Sequence, residues 1–315
     1  MFEKTIEIKE AISKAVIGKE EVIDKVLMAI LAGGHILLED IPGVGKTTLA
    51  LAFSRVMGLA FHRVQFTPDV VPSDITGFSM YNRQTGTFEY KEGAAMCNLF
   101  LADEINRTSS KTQSALLEVM QEGNITVDGK THKVPDPFIV IATQNPLGTA
   151  GTQMLPEAQL DRFMIQISMG YPDFQAQVKL LADRQKNNPL QDLRPIVSRE
   201  EVLRMRQEVE QLYMDRKILE YVTRLTEVSR KQKLIRLGVS PRGALALCAM
   251  ARACAYVRQR DYVTPEDVRS VFSDVCRHRI LMDPKAQLSE VTADRMLGEI
   301  LRVVPGPKLT GTEKR

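Results

Sequence analysis

Tryptophan is absent from the 315 residues, and all aromatics together make up 6%. Proteins that grip single-stranded nucleic acid stack bases on aromatic side chains, so little material for such a surface is present. Histidine is scarce as well. The four histidines are scattered without ligand spacing, which argues against a metal centre and for surface or core roles. The four cysteines, Cys97, Cys248, Cys254 and Cys276, form no CxxC pair. Neither a disulfide framework nor a zinc site is expected, and a reducing cytoplasm fits best. No apolar run approaches the roughly 20 residues needed to cross a bilayer. The opening Met1-Phe2-Glu3-Lys4 lacks a signal-peptide pattern, so a cytoplasmic protein without membrane insertion is expected. Charge of one sign is also lacking: 42 basic residues face 39 acidic ones, a net charge of +3. That balance is too even to imply a polyanionic partner. Acids and bases interleave, as in Arg199, Glu200, Glu201 and Arg204, which reads as a solvated helix face. No repeat or low-complexity tract is present.

What is present is the composition of a soluble globular chain, with 44% hydrophobic and 26% charged residues. At roughly 150 residues per domain, two domains are expected. The first part alternates strand-like runs with helical stretches. Ile23, Val26, Leu27 and Ile30 keep helical spacing. Ile36–Leu38, Leu99–Ala102, Phe138–Ala142 and Phe163–Ile167 are apolar runs of strand length, and His62–Phe66 alternates. Continuous apolar strands between helices predict a mostly parallel sheet covered on both faces. Two hairpins are predicted, at 76–90 around Gln84-Thr85-Gly86 and at 124–134 around Asp128-Gly129. Asn187 to Pro195 reads as a linker. Beyond it the chain reads as helical, with a capping box at Ser198 and Glu201 and a helix start at Thr264-Pro265-Glu266-Asp267. The expected division is an α/β core over 1–188, a small all-helical domain over 189–305 and a flexible tail over 306–315.

The stretch His35 to Thr48 runs strand, glycine-rich loop, helix. In Pro42-Gly43-Val44-Gly45-Lys46-Thr47-Thr48 the glycines let the backbone wrap around phosphate oxygens. Loop amides and the following helix N-terminus direct partial positive charge at the anion. Lys46 supplies a full charge to the β- and γ-phosphates, and Thr47 a hydroxyl to Mg²⁺. Asp40 stands where the usual GxxxxGK[ST] pattern has its first glycine, which bears on the opening turn of the loop and not on the cradle. Leu99 to Ala102 then ends in Asp103 and Glu104, two carboxylates at the C-terminal end of a buried strand. Phosphoryl transfer needs a metal against the phosphate oxygens and a group that orients water. Asp103 fits the first role and Glu104 the second. A solvated acidic strand end is the plain alternative.

These stretches, together with Gln65–Gly77, Phe100–Arg107, Gln113–Glu122, Ala142–Pro146, Pro156–Phe163 and Ser240–Gly243, resemble those of MoxR-type AAA+ ATPases over nearly the whole chain. The resemblance implies an AAA+ P-loop αβα core with a mostly parallel sheet, followed by a helical lid, with ATP and Mg²⁺ as ligands. It implies that Val16, Ile17 and Gly18 line the adenine pocket. Asn145 becomes the sensor of the γ-phosphate and attacking water, a role an amide suits because it both donates and accepts. Arg162 becomes the arginine finger of a neighbouring subunit's site, with a surface salt bridge to Asp161 or Glu157 as the ordinary alternative. Arg242 becomes the second sensor on the lid, with a helix-surface arginine as its alternative. Arg107 also becomes a candidate to face a neighbour. The hairpins correspond to the helix-2 insert and the hairpin before the first sensor.

The implied protein is a homo-oligomeric ring, a hexamer by family habit. Its ATPase would drive chaperone-like remodelling, assembly or metal-loading of a protein client, together with a von Willebrand factor A domain partner. Two rivals carry different expectations. A nucleic-acid motor needs basic hairpin tips, and Asn82-Arg83-Gln84 and Asp128-Gly129-Lys130 are nearly neutral. A non-hydrolysing scaffold has no use for Asp103, Glu104 and Asn145 together.

Overall fold

The computed structural model describes residues 2–145, 154–186 and 188–308. Helices α1 (Phe2–Ala15) and α2 (Glu20–Leu31) lead into strand β1 (Ile36–Glu39), the glycine-rich loop and helix α3 (Lys46–Val56). Strand β2 (Phe61–Gln65), helix α4 (Pro72–Thr76) and a hairpin of β3 (Phe78–Asn82) and β4 (Thr87–Lys91) follow. Next come β5 (Leu99–Asp103), a 3₁₀ turn (Ile105–Arg107) and α5 (Ser110–Glu122). A second hairpin, β6 (Asn124–Val127) with β7 (Lys130–Lys133), precedes β8 (Ile139–Gln144), α6 (Glu157–Leu160) and β9 (Ile165–Ile167). The remainder comprises α7 (Phe174–Lys186), α8 (Pro189–Asp192), α9 (Arg199–Glu210), α10 (Arg216–Lys231), β10 (Ile235–Leu237), α11 (Pro241–Val257), α12 (Pro265–Cys276), β11 (Leu281–Met282), α13 (Pro284–Leu288) and α14 (Ala293–Val303).

The five core strands form one parallel sheet in the order β2-β5-β8-β1-β9. Side chains of a strand alternate between faces, so a strand covered on both sides must be apolar throughout. Leu37, Phe100 and Val140 point into a core shared with Phe66, Leu116 and Leu117. Their neighbours Leu38, Leu101 and Ile141 point into the opposite core, built by α1 to α3 and continued by the lid helices. The edge strand β2 is largely exposed, which explains why its sequence alternates.

The helical region lies against the core beside α2 and β9. Arg206 Nε donates to Ile30 O at 2.8 Å. Arg279, buried, donates from Nε to Asp161 Oδ1 at 2.7 Å and from its terminal nitrogens to Phe163 O at 2.6 Å and Met164 O at 3.1 Å. The capping box at Ser198 forms as expected: Glu201 N donates to Ser198 Oγ, and Ser198 N to Glu201 Oε2. "All-helical" needs one addition, because β10 and β11 pair as a short antiparallel ladder. The expected linker at 187–195 contains α8, whose start is capped by Asn188 Oδ1 accepting from Leu190 N at 3.3 Å. Thr76, placed in the first hairpin by its sequence, closes α4 instead, with Gly77 N donating to Ser73 O. The second hairpin turns at Asp128 and Gly129, both at positive φ. Of the tail expected to be flexible, 309–315 lies outside the described residues.

His35, just before β1, ties the sheet to α5. Its Nε2 donates to Met120 O and its Nδ1 accepts from Val140 N, both at 3.0 Å, so both ring nitrogens are used in the neutral form. Burial pushes its pKa down from 6.5 to about 4, and the positive Arg206 and Arg242 add to the effect. The buried imidazole of His278 is pushed the same way. A depressed histidine pKa stabilises the fold fully above pH 6.5. That contribution is lost as pH falls toward 4, because the unfolded chain takes up the proton first. For His35 the loss is about 3 kcal/mol at 1.36 kcal/mol per pKa unit. Urea titrations at pH 7.5 and 4.5 are expected to show it. A His35→Gln variant with the same pH dependence as the parent would assign the acid sensitivity elsewhere.

Candidate nucleotide site

Strand β1 delivers the loop from the C-terminal edge of the sheet. Gly43 and Gly45 adopt φ of 87° and 99°, a left-handed backbone that residues with a side chain rarely take. A Cβ at Gly43 would meet nothing within 4 Å, so space lies open beside the loop there. Gly45 caps α3 with no side-chain cap, so the loop runs directly into a helix N-terminus, as an anion cradle requires. The Lys46 ammonium is buried and donates to Asp40 O at 3.0 Å. Burial lowers its pKa, and the nearby Asp103, Asp40 and Glu104 oppose that shift. Asp40 has a clear task. Its Oδ2 accepts from Met169 N at 2.6 Å, Gly170 N at 2.8 Å and Ser168 Oγ at 3.2 Å, and its Oδ1 from Ile41 N. The carboxylate thus fastens the start of the loop to the end of β9, where a glycine could not. Pro42, Val44, Thr47 and Thr48 complete the loop, Thr48 in the first turn of α3.

Asp103 ends β5, two strands from the loop in the sheet order, and Glu104 follows it. Asp103 Oδ1 accepts from Thr143 Oγ1 at 2.7 Å, and its Oδ2 pairs with Arg63 at 2.7 Å. Glu104 sits at φ 56°, ψ 50°, a strained conformation for a residue with a side chain. It is held there by its N–H donating to the same Thr143 hydroxyl at 2.8 Å. Its Oε2 accepts from Gln65 Nε2 at 2.9 Å and from Arg107 at 2.8 Å. The Asn145 carbonyl, just beyond β8, accepts from Asn106 Nδ2 at 3.4 Å. An anionic oxygen pair beside a lysine-bearing anion cradle is the donor set a magnesium nucleotide needs, so the residues fit ATP with Mg²⁺. Thr143 and Arg63 were not singled out from sequence. Their roles depend on β2, β5 and β8 lying side by side, with Gln65 opposite Asp103 and Ala102 opposite Ala142.

Val16, Ile17 and Gly18 follow α1 and lie against α7: a Cβ at Gly18 would come within 2.5 Å of Ala176 Cβ. Arg162 and Arg242 are elsewhere. Arg162 precedes β9, whose Ile165 is in register with Ile36, and Met164 N donates to His35 O at 2.7 Å. That is the N-terminal end of the sheet, about 13 Å of strand from the loop. Of the two ordinary partners for Arg162, Asp161 is taken: it pairs with Arg279 and accepts from Ser240 Oγ at 3.1 Å. The Ser240 bond brings the exposed Arg242, two residues on, into the same neighbourhood. Arg242 thus lies with Arg162 toward the end of the sheet away from the loop, with the lid packed beside α2 and β9. Arg107 pairs with Glu104 of its own chain.

Sheet order, phosphate cradle and lid together define an AAA-type ATPase. The family model described as "ATPase family associated with various cellular activities (AAA)" matches residues 35–165, and that of the AAA lid domain matches 227–300. YeaC of Bacillus subtilis is 45% identical over 298 residues, covering 95% of this chain and 93% of its own. Chaperone MoxR1 of Mycobacterium tuberculosis is 37% identical over 313 residues, covering 96% and 82%. A solved structure of a candidate ATPase from Cytophaga hutchinsonii superimposes with a TM-score of 0.90 at 37% identity, covering 98% and 96%. The chain belongs to the MoxR family of AAA+ ATPases.

Proposed function

We propose that this MoxR-family protein binds Mg·ATP in the cradle Pro42–Thr48 and hydrolyses it at the interface of a homo-oligomeric ring, a hexamer by family habit. The observation that carries the reading is the convergence of Lys46, Asp103 and Glu104 at one end of the sheet, with Thr143 tying the two acidic residues together and their charges acting on Lys46. Lys46 leaves the Asp40 carbonyl for the β- and γ-phosphates. Thr47 and, through water, Asp103 would hold Mg²⁺, which would supply positive charge against the phosphate oxygens. Glu104 takes the proton of the attacking water, and Asn145 positions that water against the γ-phosphate. Val16, Ile17 and Gly18 hold the adenine. Arg162 and Arg242 share the end of the sheet opposite the loop, so both reach the phosphates of a neighbouring subunit rather than their own.

The chemical cycle would drive remodelling, assembly or metal-loading of a protein client in the cytoplasm, with a von Willebrand factor A domain protein as partner. The chaperone name of the Mycobacterium relative favours that role. The domain division that goes with it is a core over 1–188 and a lid over 189–305. Nucleic acid is not the expected client, because the hairpin tips are nearly neutral.

The test of the cradle is Lys46→Ala. Loss of one charge-assisted hydrogen bond is expected to weaken Mg·ATP binding about 10- to 100-fold. Isothermal calorimetry on a variant with unchanged circular dichroism measures it, and an unaltered affinity would remove Lys46 from the site.

A further inference from the structure

Helix α7 carries an apolar stripe that the described residues leave uncovered. Phe174, Val178 and Leu181 recur at spacings of four and three, which places them on one side of the helix. Phe174 is 78% exposed and Leu181 56%, and Tyr171 just before the helix is also exposed. Ala176, on the other side, is the residue that buries against the core. Contiguous apolar surface of this kind is rare on a monomer unless a partner covers it.

The place of α7 in the fold identifies that partner. Its approach is fixed beside the nucleotide site: Asp40 holds the amides of Met169 and Gly170, and Lys19 Nζ donates to Met169 O at 2.6 Å and Tyr171 O at 2.8 Å. The stripe therefore flanks the half of the ATP site that holds Lys46 and the carboxylates, away from Arg162 and Arg242. The arginine half lies at the other end of the sheet, and one turn beyond Arg242 stands Leu245, 72% exposed. Each half-site thus has exposed apolar side chains beside it, a stripe on α7 and Leu245 on α11. Different surfaces at opposite ends of one chain join copies head to tail, the geometry that yields rings where the rotation closes. A two-fold dimer pairing α7 with α7 would leave the arginines away from the loop.

We propose that the α7 stripe is the seat for the lid of a second copy, which docks its surface around Leu245 there and so sets its Arg242 and Arg162 on the neighbouring nucleotide. The proposal rests on the trans reading of the two arginines. It goes beyond that reading by naming the contact that brings them in.

Sedimentation velocity with Mg·ATP in a Glu104→Gln background, which holds the nucleotide, tests the seat. Phe174→Ser with Leu181→Ser should raise the protein concentration needed for assembly about 10- to 100-fold, the effect of losing one or two buried apolar side chains. Both positions are exposed, so the fold should persist by circular dichroism. Val178→Ser gives a milder second variant with a smaller shift in the same direction. Mixed Phe174→Cys and Leu245→Cys proteins should form a 174–245 crosslink with a short bismaleimide that the parent does not form. If the parent assembles and the double variant assembles at the same concentration, or 174 links to 174, the seat is wrong while the ring stands. If the parent does not assemble with Mg·ATP, the ring reading fails and the seat with it.

Discussion

Arg162→Ala should abolish nearly all ATP turnover, by about 10³–10⁵-fold, the range that arginine fingers supply elsewhere. It should do so while leaving ATP binding to the isolated subunit unchanged. The two effects separate because of the sheet. Arg162 sits before β9 at the N-terminal end, while Lys46 and Glu104 sit at the C-terminal ends of β1 and β5. Removing it cannot loosen its own cradle. Asp161 is occupied by Arg279 and Ser240, so the change breaks no ion pair that holds the lid. Mixing the inactive Arg162→Ala and Glu104→Gln proteins should restore part of the activity. Some interfaces would then join an intact Glu104 to an intact Arg162. Arg242→Ala should behave likewise in the same mixture, because it shares that end of the fold. Demonstrably mixed oligomers with no recovered turnover would place Arg162 in cis or outside the reaction.

The contrast between the two halves of the site explains what could be read from the sequence. The cradle and the carboxylate pair were legible because each is contiguous: a buried strand, then the chemistry at its end. The five core strands were legible for the same reason, since a strand covered on both faces has to be apolar at every position. Thr143 was not legible. It is one threonine in a strand, and its meaning comes from lying across from both Asp103 and Glu104. Asp40 looked like a departure from a pattern until its carboxylate was found capping the amides of Met169 and Gly170, some 130 residues away. The seat of the lid was the hardest part. The residues that dock it, Arg279, His278 and Arg206, form no local motif and act through backbone carbonyls of Phe163, Met164 and Ile30.

Glu104→Gln should bind Mg·ATP as tightly as the parent and turn it over about 10²–10⁴-fold more slowly, the usual worth of a general base. Glutamine keeps the length and shape of the side chain. It also keeps an oxygen that can accept from Gln65 or Arg107, so the left-handed turn held by Thr143 should survive. What it loses is the basic oxygen. In the parent that oxygen is already shared between Gln65 at 2.9 Å and Arg107 at 2.8 Å, and it must turn from them to meet a water. The carboxylate is therefore positioned and restrained by the same contacts, and its chemistry should depend on their release. Asp103 cannot substitute, since both of its oxygens are engaged, by Thr143 and by Arg63. Single-turnover measurements with excess protein would isolate the chemical step from product release. A rate within a factor of about two of the parent, far inside the range expected for a lost base, would mean that another group takes the proton and that Glu104 serves only the shape of the turn.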